Sequence, residues 1–70
     1  MNSTLDVDMQ KRIIQEEIDR YNHTIYLWTI RVKVAEKIAD KAMKDNAVTE
    51  IEKCEKSLDA LKEELKSLGE

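Results

Sequence analysis

Ile25-Tyr26-Leu27-Trp28-Thr29-Ile30-Arg31-Val32-Lys33-Val34-Ala35-Glu36-Lys37-Ile38-Ala39-Asp40-Lys41-Ala42 is the stretch on which the fold turns. Within it Ile25, Trp28, Val32, Ala35, Ala39 and Ala42 recur in steps of three and four. That spacing draws a seam along one side of an α-helix. Upstream the same seam runs through Ile14, Ile18 and Tyr21, and no breaker interrupts it: the chain has no proline, and its one glycine is Gly69. Downstream a second repeat appears at Ile51, Cys54, Leu58, Leu61, Leu65 and Leu68. The first seam is about twice as long as the second, so half of it lacks a partner within the chain.

These repeats predict an all-α protein: a long-short antiparallel helical hairpin, coiled-coil-like, that assembles into a homo-oligomeric helix bundle. Ser3 with Asp6 resembles a helix N-cap. Lys44-Asp45-Asn46 is the most turn-like segment, and Thr49 with Glu52 matches a capping box, with Asn46 a rival cap. Gly69 suits the position just past a helix end. A single domain over residues 1–70 follows, with helix 1 at about 4–44, a turn at about 45–48 and helix 2 at about 48–68. At 1.5 Å per residue the helices measure roughly 60 Å and 30 Å. The rival architecture is a three-helix bundle broken near Asn22-His23-Thr24, against which the continuity of the seam through Tyr21, Ile25 and Trp28 argues.

Angular bookkeeping at 100° per residue sharpens the picture. Between Ile25 and Ala42 the apolar positions cover an arc of roughly 200°, with Ile25, Val32 and Ala39 on one flank and Leu27, Ile30 and Val34 on the other. One neighbouring helix cannot cover such an arc; two can. Toward the N-terminus the arc narrows to Ile14, Ile18, Tyr21 and Ile25, and Glu16, Glu17, Arg20, His23 and Thr24 make the adjoining side polar.

Composition narrows the function classes. Seventy residues give little core, and oligomerisation is a common remedy for so small a chain. The net charge of −3 argues against a nucleic-acid partner. An RNA-binding helical bundle and a purely structural assembly piece are therefore the weaker expectations. The uncharged stretch from Tyr21 to Ile30 is far short of the roughly 20 residues a membrane span needs, and no membrane association is expected. A single cysteine and the absence of a signal-like start suggest a reducing cytoplasm, with Cys54 a packed thiol in the second repeat. Size alone suggests a phage or plasmid origin.

No Gly-rich phosphate loop, Cys/His metal spacing or Ser/His/Asp set can be assembled, so neither an enzyme, a metal site nor a cofactor is expected. Lys33, Lys37, Lys41 and Lys44 read as a solvated stripe that Glu36, Asp40 and Asp45 partly neutralise. The oligomer interface is expected at Ile14, Ile18, Tyr21, Ile25, Trp28, Val32 and Ala39. A second cluster, Arg20, His23, Thr24, Tyr26 and Arg31, offers cations and an aromatic ring for a small anionic, nucleotide-like ligand held between protomers. The leading expectation is a small helical regulator or inhibitor that binds a larger protein. The alternative is a module that sequesters an anionic ligand.

Overall fold

A computed structural model describes residues 6–69. Two α-helices, α1 (Val7–Lys37) and α2 (Lys41–Gly69), pack along each other as an antiparallel hairpin. Its overall dimensions are 55 × 17 × 14 Å. The rod shape follows from two amphipathic helices of 31 and 29 residues packed side by side.

Each helix boundary has a local cause. Asp6 caps α1: its backbone is extended, and its carboxylate accepts the Met9 N–H at 2.8 Å. This satisfies one of the N–H groups that a helix start leaves without a partner. Ser3, the other residue expected at this cap, lies outside the described residues, and helix 1 begins at Val7 rather than about residue 4. At the other end the chain closes by a Schellman arrangement. The Asp40 N–H donates to the Ala35 carbonyl at 2.9 Å, and the Ala39 N–H donates to the Glu36 carbonyl at 3.2 Å. Ala39 takes the left-handed conformation this needs, with φ at 56°. Asp40 then starts the next helix at once. Its carboxylate accepts the Met43 N–H at 3.0 Å, and its carbonyl accepts the Lys44 N–H at 3.1 Å. One residue thus ends one helix and caps the other, so Ile38-Ala39-Asp40 suffices as the turn.

Burial follows the expected repeats except near the turn, where Ala39 and Ala42 are exposed and Ala47, outside both repeats, is buried. Ile18, Ala35, Ala47, Cys54 and Leu58 are buried, while Ile14, Tyr21, Ile25, Trp28 and Val32 on α1 and Ile51, Leu61, Leu65 and Leu68 on α2 are partly covered. A turn centred on Ala39 sets Val32 level with Ala47, Ile25 with Cys54 and Tyr21 with Leu58. The two most enclosed residues, Ala35 and Ala47, are each 1% exposed and lie toward the turn, where small side chains let the backbones approach.

The turn lies about seven residues before the expected one, and this corrects the long-short hairpin to two helices of nearly equal length. Lys44-Asp45-Asn46 and Thr49 are inside α2, where the Thr49 hydroxyl donates to the Asp45 carbonyl at 3.0 Å. Seven residues is one heptad. Sliding a hairpin turn by a whole heptad returns the seam positions to the same face, so periodicity cannot choose between the two registers. The Asp40 cap and the left-handed Ala39 choose. Two smaller expectations change as well. Gly69 belongs to α2 instead of following it, and α1 is unbroken through Asn22-His23-Thr24, which removes the three-helix alternative.

Candidate functional site

The moved turn changes what the seam is for. With α2 almost as long as α1, the residues expected at an oligomer interface are covered inside one chain. Ile18 is 5% exposed, and Ile14, Tyr21, Ile25, Trp28 and Val32 share the face that α2 covers. Ala39 is exposed in the turn. No uncovered half-seam remains, so the length argument for self-association loses its basis.

The expected anion cluster is not assembled. Arg20 forms an ion pair with Glu17 one turn before it, and Thr24 donates its hydroxyl to the Arg20 carbonyl at 3.0 Å. These residues border a small surface depression together with Tyr21. His23 is exposed, and Tyr26 is 67% exposed. Arg31 does not join the other members of the cluster. Instead it is exposed, with its guanidinium 4.5 Å from the centre of the Trp28 ring. Eleven residues of helix separate Arg20 from Arg31, about 16 Å along the axis, so within one chain the two do not form a single compact site.

Around the turn, Glu36 and Lys44 join the two helices at 2.9 Å, and Lys41 meets Asp45 at 3.0 Å. The hydrogen bond and charge of Glu36 raise the Lys44 pKa above its ordinary 10.5. An open depression of about 400 Å³ lies here. Its charged groups already have partners within the chain or cap a helix, which leaves none committed to a ligand. The lysine stripe read from the sequence is therefore divided. Lys33 and Lys37 stand on α1, and Lys41 and Lys44 belong to α2.

Among the apolar side chains that α2 leaves exposed is the other flank of the broad arc, Leu27, Ile30 and Val34, at 42%, 41% and 42%, joined by Ile38 from the middle of the arc at 61%. They share an arc of about 80° on α1, roughly 140° around the helix from the seam. The steps of three, four and four extend over about 16 Å of helix. Isolated exposed aliphatics are ordinary on protein surfaces, but four aligned on one helix face are the pattern of a docking stripe. The stripe was legible in the sequence as the excess width of the arc.

No protein-family model, curated protein or solved structure matches this chain.

Proposed function

We propose that this hairpin is a non-catalytic regulator or inhibitor that acts by occupying the surface of a larger protein. The observation that carries the reading is the exposed stripe Leu27, Ile30, Val34 and Ile38, lying outside the seam that holds the hairpin together. An amphipathic helix offering apolar side chains at such spacing is built to lie in a groove.

The test is to purify the protein from its natural host with whatever it binds, in parallel with an Ile30→Glu/Val34→Glu variant. Both positions are solvent-exposed, so hairpin stability is expected to change by less than about 1 kcal/mol. A stoichiometric protein partner lost from the folded variant is the expected result. Equal recovery of the partner with both forms would refute the assignment to this face.

A further inference from the structure

The charges bordering the stripe say what kind of surface it meets. From Tyr26 to Ile38 the chain carries Arg31, Lys33 and Lys37 against the single acid Glu36, a local excess of two positive charges in a protein whose net charge is −3. Glu36 is engaged by Lys44 at 2.9 Å. Glu50, on the neighbouring part of α2, is engaged by Lys53 at 3.5 Å. Arg31 rests on the Trp28 ring, and Arg31, Lys33 and Lys37 make no ion pair among the described residues. On the helix, Arg31 borders one edge of the stripe, while Lys37 and Lys33 lie beyond the other. An apolar strip between cations is completed by an apolar strip between carboxylates.

Resting on the partner-binding reading above, we infer that the occupant of this face is an acidic amphipathic helix of another protein, with aliphatic residues along its centre and Asp or Glu on both margins. A second copy of this chain fits poorly. Pairing the stripe with itself would gather two sets of Arg31, Lys33 and Lys37 around one interface, where the only acid between Tyr26 and Ile38, Glu36, is already engaged by Lys44. An anionic bilayer would satisfy the cations, but membrane-surface helices bury a broad apolar face, and this strip is about 80° wide. Its single tryptophan stands to one side, on the face toward α2.

A photo-crosslinking amino acid, p-benzoylphenylalanine, placed at Val34 of the full chain in its natural host tests this directly. Mass spectrometry then locates the residue to which it couples. The expected adduct lies on a helix of another protein, at an apolar residue with at least two carboxylates within one helical turn. Its yield should fall at least tenfold in a Lys33→Glu/Lys37→Glu background and stay unchanged in Lys56→Glu/Lys62→Glu. Retained helical circular dichroism in both backgrounds shows that the fold survives. Coupling to a second copy of this chain, to lipid, or to nothing would overturn both this inference and the partner-binding function. Coupling to a protein surface without carboxylates, or a yield indifferent to the Lys33 and Lys37 reversal, would overturn the charge inference alone.

Discussion

Replacing Ala39 with glycine is the most discriminating perturbation of this fold, because the two possible registers predict opposite signs. In the structure Ala39 has φ at 56°, where the Cβ of an L-residue crowds the backbone at about 1–2 kcal/mol. Glycine removes that strain and adds unfolded-chain entropy of roughly 0.5–1 kcal/mol. The net expectation is stabilisation by about 1 kcal/mol. A turn at residues 45–48 would instead leave Ala39 inside a helix, where glycine is destabilising by about 1 kcal/mol. For a chain of this size 1 kcal/mol moves Tm by roughly 4–8 °C. Thermal unfolding followed by circular dichroism at 222 nm, at one fixed protein concentration, reads the sign. A rise of several degrees supports the Ile38-Ala39-Asp40 turn; a Tm lowered by several degrees in Ala39→Gly would refute it.

Three further outcomes follow from the same contacts. Asp40→Ala removes the acceptor of the Met43 N–H and should lower stability by about 1 kcal/mol in urea unfolding, whereas Asp40→Asn should recover most of it. Ile18→Ala opens a gap at a side chain only 5% exposed; a loss of about 2–5 kcal/mol is expected, and a loss under 1 kcal/mol would mean that α2 does not cover this end of α1. The Lys44 pKa is raised in the folded state by Glu36, so the stability it contributes is complete below the unfolded value of 10.5 and is lost as pH rises through the higher folded value. The urea midpoint of the native protein should exceed that of Lys44→Gln by a constant, small margin from neutral pH to about pH 9, and the margin should close only above the ordinary lysine range. A margin that closed near neutrality would point to a different group.

The candidate surface was half visible beforehand. That Leu27, Ile30 and Val34 widen the apolar arc beyond what one helix covers follows from 100° per residue, and they remain uncovered in the hairpin. Ile18, Tyr21, Ile25 and Trp28 were equally visible as a seam. Whether they meet the same chain or a second one depends on where the turn falls, and the repeat is silent on that point. The side chains of the expected anion cluster show a related limit of spacing. Arg20, His23, Thr24, Tyr26 and Arg31 are neighbours in sequence, but the Glu17 pairing of Arg20 and the Trp28 contact of Arg31 are choices of rotamer that no spacing reveals.

By itself the sequence determined the class of structure. With no proline, a terminal glycine and two seams in steps of three and four, these residues have no alternative to amphipathic helices that bury Ile18, Ala35, Cys54 and Leu58. Tertiary structure decided the register. A heptad repeat has the same energy of burial, to first order, when the turn slides by seven residues, so the decision passes to a few local hydrogen bonds. Asp40 can serve as the last partner of α1 and the first cap of α2 only if Ala39 goes left-handed, a conformation that alanine does not advertise as glycine would. Packing α2 along the whole of α1 favours that strained residue, because it covers Ile14 to Val32 at least in part within one chain, while Leu27, Ile30, Val34 and Ile38 stay exposed along with Met9, Ile13, Tyr26 and Val48.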